Sequence, residues 1–261
     1  MSIGIYSAVP EIFVPIISFK DRFVNEVLSI SDLITIRNIS KIYNKGDNEV
    51  RALDGVSFSI APGEFVAIVG QSGSGKSTLM NILGCLDTPT GGEYILDGSN
   101  VAGLKEKRLT EIRNRRIGFV FQGFNLIGGL DALENVELPL TYRGIPKEER
   151  RSLAEDALRQ VGLSRRLRHR PAQMSGGQQQ RVAIARAIAA KPPIILADEP
   201  TGNLDSKSGA VIMDILNSLN AEGRTVILIT HDEKIAAAAN RVLQIHDGRI
   251  VGQAQPETEL F

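Results

Sequence analysis

The chain is poor in cysteine and aromatic residues, with one cysteine and no tryptophan among its 261 residues. The single cysteine, Cys85, excludes an intrachain disulfide bond, so the sequence fits a reducing compartment. No run of eighteen or more apolar residues occurs, so any passage through a membrane would have to be supplied by another chain. Thirty basic and thirty acidic residues give a formal net charge of zero, which predicts no nucleic-acid partner.

The hydrophobic content of 43% is enough for one large domain, or for one domain with a lobe. We predict that residues 1–30 form an N-terminal extension of uncertain order, because prolines and charges interrupt its apolar run and no positive start marks a secretion signal. A surface anchor or an interface arm is the alternative. Residues 254–261 are predicted to be a C-terminal tail. The basic run at residues 165–170 indicates a solvated face, or else a contact with acidic headgroups or a partner.

Residues 70–78 fit the P-loop pattern G-x-x-x-x-G-K-[ST], between an apolar run at residues 65–69 and a helical pattern at residues 77–83. In this pattern backbone amides wrap a β-phosphate, Lys76 reaches the β and γ oxygens, and the Ser77 hydroxyl binds Mg²⁺. The sequence therefore predicts an ATP site with Mg²⁺. Its predicted nucleotide-binding residues are Gly70, Ser72, Gly73, Ser74, Gly75, Lys76, Ser77 and Thr78.

Four apolar runs end at polar residues of obvious chemical use, which suits buried parallel strands whose carboxyl ends meet at one edge of a sheet. Three of these runs lie outside the P-loop and end at Gln122, at Asp198 and Glu199, and at Thr230 and His231. A carboxylate or histidine at a strand end is commonly a cap or a structural residue. Next to a P-loop, however, these residues predict a hydrolytic site.

The predicted roles of these residues follow from their charge. Asp198 holds Mg²⁺ opposite Ser77, and Gln122 contacts both the metal and the attacking water. Glu199 orients or deprotonates that water. His231 donates to the γ-phosphate and fixes Glu199. The predicted metal ligands are thus Ser77, Gln122 and Asp198.

A second anion site is predicted where Ser175, Gly176 and Gly177 open a helix that extends from Gln178 to Ala190. We expect Ser175 at the N-cap with its hydroxyl free, and exposed amides at the positive end of the helix dipole. Either a lobe of the same chain folds across to the P-loop, or the site serves a γ-phosphate held by another copy. Sequence geometry leaves both possibilities open.

The segment Met174–Gln178 resembles the signature of ATP-binding cassette (ABC) ATPases, with Met174 where leucine is usual, and the similarity covers about residues 33–250. The resemblance implies that Tyr43 stacks on adenine and that Gln122 is the Q-loop glutamine. It also implies a D-loop with Asp205 and a switch histidine at His231. In the family, the signature of one subunit, here Ser175, Gly176, Gly177 and Gln178, closes on ATP bound to the other.

Further motifs resemble the branch that serves macrolide and antimicrobial-peptide exporters and lipoprotein-release systems. They lie at residues 83–87, 118–122, 134–140, 176–181 and 197–205. The resemblance implies a homodimer, or a heterodimer with a second ABC subunit, at the cytoplasmic face of the cell membrane. It also implies a separate permease, with a periplasmic adaptor as a further partner. Residues 127–129 depart from the family pattern next to the expected permease contact, so the permease's identity stays open.

The expected fold is α/β: a P-loop NTPase (RecA-like) core with an antiparallel β layer near residues 33–66 and 92–98. An inserted α-helical subdomain is expected at about residues 124–178, within an ABC ATPase domain at residues 31–253. The leading hypothesis is a transport-coupled ATP hydrolase. The alternatives are a soluble non-transport ABC ATPase of DNA repair or translation, and a nucleotide-binding regulator without catalysis.

Replacing Lys76 by alanine is expected to weaken ATP binding by at least about tenfold, because a charge-assisted contact with the phosphates is lost. Titration with a fluorescent ATP analogue measures this loss. An unchanged affinity would count against the P-loop assignment.

Overall fold

The structure is a computed structural model that describes residues 32–254, apart from residues 45 and 47. The predicted N-terminal extension lies outside the described residues. So does the predicted C-terminal tail, except for residue 254, which is the last residue of a strand.

An antiparallel sheet is built from β1 (Ile34–Tyr43), β2 (Val50–Ile60), β4 (Gly91–Leu96) and β5 (Ser99–Asn100), in the order β2-β1-β4-β5. In the first half of β1, Ile34 and Ile36 are buried while the side chains between and after them are more exposed. This alternation is typical of a sheet with one face on a core.

A six-stranded sheet carries the other strands, in the order β10-β9-β3-β8-β7-β6. Its members are β3 (Phe65–Val69), β6 (Ile117–Val120), β7 (Ile194–Asp198), β8 (Thr225–Thr230), β9 (Arg241–His246) and β10 (Arg249–Ala254). All neighbouring pairs are parallel except β9 and β10, which form an antiparallel hairpin. Every residue of β3 and β8 is buried. The continuous apolar runs in the sequence predicted this, because they are typical of strands covered on both faces.

Successive residues of the parallel strands point into two different hydrophobic cores. On β8, Val226 and Leu228 pack into the core shared with the lobe helices, whereas Ile227 and Ile229 pack into the core shared with the antiparallel sheet. The parallel sheet is therefore the middle layer, and its position fixes both cores.

The helices of the described residues are α1 (Lys76–Leu83), α2 (Glu106–Arg116), α3 (Ala132–Tyr142), α4 (Lys147–Gln160), α5 (Gly176–Ile188), α6 (Ser206–Ala221) and α7 (Glu233–Ala236). The predicted lobe at residues 124–178 contains α3, α4 and a short 3₁₀ turn at Pro171–Gln173. None of the helices found between residues 32 and 254 is both long enough and apolar enough to span a bilayer.

Cys85 is buried directly after α1, and it contributes to the core below the antiparallel sheet. Burial raises the pKa of its thiol to about 11, although the nearby positive charge of Arg113 opposes the shift.

The predicted fold class is confirmed, while several element ends differ by one or two residues. The apolar run predicted to end at Gln122 forms a strand that already ends at Val120, and the helix predicted from Gln178 to Ala190 begins at Gly176 and ends at Ile188. Helices α2, α6 and α7 and the β9–β10 hairpin were not predicted from the sequence. The domain boundaries stay a prediction.

Candidate active site

The P-loop connects β3 to α1 through residues with left-handed backbone angles. Gly73 has φ +81° and Gly75 has φ +104°. A side chain on Gly75 would also meet the Ala52 carbonyl oxygen, 2.6 Å from the position of a Cβ atom, whereas one on Gly73 would meet nothing within 4 Å. Gly75 is thus required by packing, and Gly73 lies where the loop faces open space.

The loop presents hydrogen-bond donors that the rest of the protein does not use. The Ser74 amide donates to the Gln71 carbonyl and the Leu79 amide to the Gly75 carbonyl. Between them, the amides of residues 75–78 have no acceptor among the described residues. The Lys76 ammonium donates to the carbonyls of Gly70 and Gln71 at 2.6 and 2.8 Å, which leaves one of its three N–H groups. Such a set of donors at a helix N-terminus suits phosphate.

The β9–β10 hairpin holds the P-loop against the antiparallel sheet, a contact that the sequence analysis missed. The Gly248 amide donates to the Ser74 carbonyl at 2.9 Å, and the Gly248 carbonyl accepts from the Asp54 amide at 2.9 Å. Arg249 forms a salt bridge with the Asp54 carboxylate. The loop conformation therefore depends on both sheets.

A cleft of about 1110 Å³ brings together the P-loop and the predicted strand-end residues: Lys76, Ser77, Gln122, Asp198, Glu199 and His231. Burial raises the pKa of the Asp198 carboxyl, the neighbouring charge of Glu199 raises it further, and the positive charge of Lys76 opposes both effects. The convergence expected from parallel strands is therefore present.

The Glu199 carboxylate is held by donors from the end of the neighbouring strand. Its Oε1 accepts from the His231 amide at 3.0 Å and lies 2.6 Å from the His231 Nδ1. Its Oε2 accepts from the Thr230 hydroxyl at 3.2 Å. Glu199 has φ +44°, an uncommon backbone angle for a residue with a side chain. These bonds fix the direction of the carboxylate.

Thr230 was not assigned a role from the sequence, although it directly precedes His231. Thr230 is 1% exposed, and its hydroxyl oxygen also accepts from the Asp232 amide at 3.0 Å. A buried hydroxyl next to a strand-end histidine is the signal that would have identified it.

Gln122 forms two hydrogen bonds with Asn203, which lies two residues before Asp205 of the predicted D-loop. The Gln122 Nε2 donates to the Asn203 Oδ1 at 3.4 Å, and the Asn203 Nδ2 donates to the Gln122 carbonyl at 3.0 Å. A Cβ atom on Gly202 would lie 2.7 Å from the Gln122 Nε2, so the glycine leaves room for this amide. No role of its own was predicted for Asn203 from the sequence.

Tyr43 does not belong to the set of described residues that lines the P-loop cleft. Its hydroxyl donates to the Asp87 carboxylate at 2.9 Å, and the Lys41 ammonium lies 4.9 Å from the centre of its ring. Tyr43 as a whole residue is 36% exposed. Stacking of this ring on adenine stays a prediction.

Ser175 is the N-cap of α5 and forms a capping box with Gln178. The Ser175 hydroxyl oxygen accepts from the Gln178 amide at 3.3 Å, and the Gln178 Oε1 accepts from the Ser175 amide at 3.1 Å. The expectation that the Ser175 hydroxyl is free was therefore wrong as regards the oxygen atom, because this oxygen caps the helix by accepting from a first-turn amide. The hydroxyl hydrogen still can donate to a ligand.

The N-termini of α5 and α6 lie against each other. A Cβ atom on Gly177 would lie 2.9 Å from the Cβ and Oγ of Ser208, and Gly176 lies next to Leu204. Asp205 caps α6 by accepting from the Ser208 amide and hydroxyl at 2.9 and 2.7 Å. Among the described residues, none of Ser175, Gly176, Gly177, Gln178 and Asp205 lines the P-loop cleft.

The residues present fit a magnesium ion bound together with phosphates. Ser77, Gln122 and Asp198 offer hydroxyl, amide and carboxylate oxygens, which are the hard ligands that Mg²⁺ prefers. Within residues 32–254 as described, no group of three or more His, Cys, Asp or Glu side chains forms a metal site of its own. Such a sparse set of protein ligands is typical of magnesium completed by substrate phosphates and water.

A phosphate-binding loop beside a fixed carboxylate and a histidine defines a P-loop nucleoside triphosphatase. Residues 53–202 match the protein family described as ABC transporter, and the chain belongs to that family. It binds ATP and is an ATP hydrolase of the ABC type.

Similar proteins agree with this family. The chain is 54% identical over 222 residues to the macrolide export ATP-binding/permease protein MacB of Hyphomonas neptunium, and covers 34% of that protein. It is 53% identical over 215 residues to an uncharacterized ABC transporter ATP-binding protein of Thermotoga maritima, and covers 92% of it. These matches take in 85% and 82% of this chain. The chain thus spans about a third of the length of the macrolide exporters it matches.

A solved structure shows the same fold. It is a dimeric ATP-binding cassette in a post-hydrolysis state bound to ADP and Pi, 48% identical, with a TM-score of 0.79. The match covers 86% of this chain and 99% of the solved one. The resemblance to ABC cassettes that the sequence indicated is therefore confirmed.

Replacing Thr230 by valine is expected to lower kcat for ATP hydrolysis about tenfold at unchanged ATP affinity, because one donor to the Glu199 carboxylate is lost. The matched control is Thr225→Val at the other end of β8, whose hydroxyl accepts from the Gly63 amide. Steady-state kinetics of both variants measure the difference. Equal kcat losses in the two variants would contradict a specific role of Thr230.

Proposed function

We propose that this chain is the ATP-hydrolysing subunit of an ABC transporter that powers a separate permease of the export or lipoprotein-release type. The observation that carries the proposal is the Glu199 carboxylate, fixed by Thr230 and His231 beside Asp198 and the P-loop. A catalytic base needs such an orientation before its basicity matters.

In the proposed mechanism the P-loop amides and Lys76 bind the phosphates, while Ser77, Gln122 and Asp198 hold Mg²⁺. When bound, this ion neutralises charge that develops on the phosphate oxygens. Glu199 orients the attacking water and accepts its proton, while His231 and Thr230 keep the carboxylate in place. His231 also donates to the γ-phosphate.

The active unit in this proposal is a dimer with two nucleotides between its halves. Ser175 and the α5 N-terminus lie outside the P-loop cleft of their own chain, so they are available to a triphosphate held by a second copy. The Ser175 hydroxyl hydrogen and the unused first-turn amides are the donors offered. The dimeric state of the similar solved cassettes favours this arrangement. The second copy is this chain itself or another ABC subunit.

A groove of about 770 Å³ is proposed as the docking site for a cytoplasmic helix of the permease. Its apolar wall includes Phe119, Phe121, Leu138 and Pro139, and its arginine side chains are Arg113, Arg115, Arg143 and Arg186. Tyr142 borders the groove and is 81% exposed, so its ring is accessible to a partner. With four arginines and one glutamate, Glu111, in its lining, the groove suits an apolar segment with acidic groups.

The permease partner places the protein at the cytoplasmic face of the cell membrane in this proposal. A periplasmic adaptor would join the permease on the other side. The soluble non-transport alternative is less favoured, since the similar proteins are named as exporters or transporter components and the chain carries no net charge for nucleic acid.

Replacing Glu199 by glutamine is expected to lower kcat by at least about a hundredfold, since the proton acceptor is lost while phosphate binding remains. In the presence of ATP, the Glu199→Gln variant should then accumulate as a dimer. Size-exclusion chromatography with light scattering measures the dimer. The matched control is Glu222→Gln at the C-terminal end of α6, which should keep the parent kcat. A Glu199→Gln protein that hydrolyses ATP at the parent rate, or stays monomeric with ATP, would contradict the proposal.

Replacing Tyr142 by alanine is expected to reduce co-purification with the permease by at least about tenfold, because an exposed aromatic anchor is removed. The measurement is affinity purification from detergent-solubilised membranes of the native cells, with the permease identified by mass spectrometry. Basal ATP hydrolysis should remain at the parent level. Val211→Ala removes an exposed apolar side chain on α6, outside the groove, and serves as the control. Equal recovery with both variants would refute docking in the groove.

A further inference from the structure

Helix α5 has the signature at its N-terminus and, one turn further along, the residue Gln180. The Gln180 side chain contacts the backbone next to two active-site residues. Gln180 is fully buried, and its Nε2 donates to the Phe121 carbonyl at 3.3 Å and to the Pro200 carbonyl at 2.9 Å. Phe121 directly precedes Gln122, and Pro200 directly follows Glu199. One side-chain amide therefore joins the backbones next to both residues.

Arg186, near the end of the same helix, holds the other side of the Gln122 segment. Its guanidinium donates to the carbonyls of Phe124 and Asn125. These two residues have φ +60° and +50°, angles that residues with side chains rarely adopt in succession. Such a conformation persists where its surroundings hold it, and the guanidinium is one of the groups that do so here.

The segment of residues 121–125 is thus fastened to α5 at both ends, with Gln122 between the two contacts. Arg186 also lines the groove proposed for the permease helix. The signature, the groove and Gln122 are consequently joined through one rigid element, which is the kind of path that carries coupling between sites.

We propose that Gln180 and Arg186 are positioning residues that transmit the position of α5 to Gln122, so that binding at the signature or the groove changes hydrolysis. This inference rests on the proposed function, and specifically on the role of Gln122. Both side chains act through the backbone of residues 121–125 and touch neither nucleotide nor metal.

The first test compares Gln180→Met and Arg186→Met with a matched control on the same helix. Arg181 donates to the Val161 carbonyl, away from residues 121–125. We expect the two test variants to lose at least about tenfold in kcat, and Arg181→Met to stay within about twofold of the parent. Affinity for a fluorescent ATP analogue should change by less than about twofold in all three.

The second test asks whether the loss passes through Gln122. In a Gln122→Ala background, Gln180→Met and Arg186→Met should lower kcat by less than about twofold further, because residues that act through one another are not additive. A merely structural role would give the same loss in both backgrounds, and that result overturns the inference. So would an unchanged kcat in the parent background.

Arg186→Lys keeps a positive charge but cannot bind two carbonyls in the fork geometry of arginine. If thermal unfolding shows that the methionine variants do not fold, Arg186→Lys replaces them. Its kcat is then compared in the parent and in the Gln122→Ala backgrounds. If the parent protein hydrolyses no ATP, the proposed function itself fails. If the parent hydrolyses ATP and the losses are additive, only the inference about Gln180 and Arg186 fails.

Discussion

The parallel alignment of β3, β8 and β7 is the constraint on which the active site depends. Val69 pairs with Thr230 across one ladder, and Asp198 pairs with Ile229 across the next. The P-loop, the Asp198–Glu199 pair and the Thr230–His231 pair therefore leave the sheet at the same edge. Shifting one strand by two residues would keep the same faces buried but would separate these groups by about 6–7 Å, more than any hydrogen bond spans.

Local chemistry explains why much of this site could be predicted from the sequence. The P-loop, the buried strands and the α5 N-terminus are encoded by neighbouring residues, as glycines, apolar runs and a capping serine. Gly248, Asn203 and Gln180 could not be identified in this way. Each makes its contacts with segments 20 or more positions distant in the chain, so only the folded arrangement shows what it does.

The same reasoning explains the wrong expectation for Ser175. The Ser175 hydroxyl was expected to be free at the N-cap, but Gln178 follows three positions later and completes a capping box, in which the hydroxyl oxygen accepts from the Gln178 amide. The α1 N-terminus lacks a side-chain cap, because Gly75 occupies that position. The two helix ends therefore differ: α1 presents uncapped amides together with the Lys76 ammonium and the Ser77 hydroxyl, whereas α5 presents the Ser175 hydroxyl hydrogen together with its remaining amides.

The burial of Cys85 has a practical consequence for studying how the cassette moves. Thiolate is the reactive form of cysteine, and a thiol whose pKa is about 11 is almost entirely protonated at neutral pH. Its side chain is also 2% exposed. The native thiol should thus be unreactive toward maleimide dyes and spin labels. Fluorophore pairs attached at introduced surface cysteines would then report distances in the unaltered protein background.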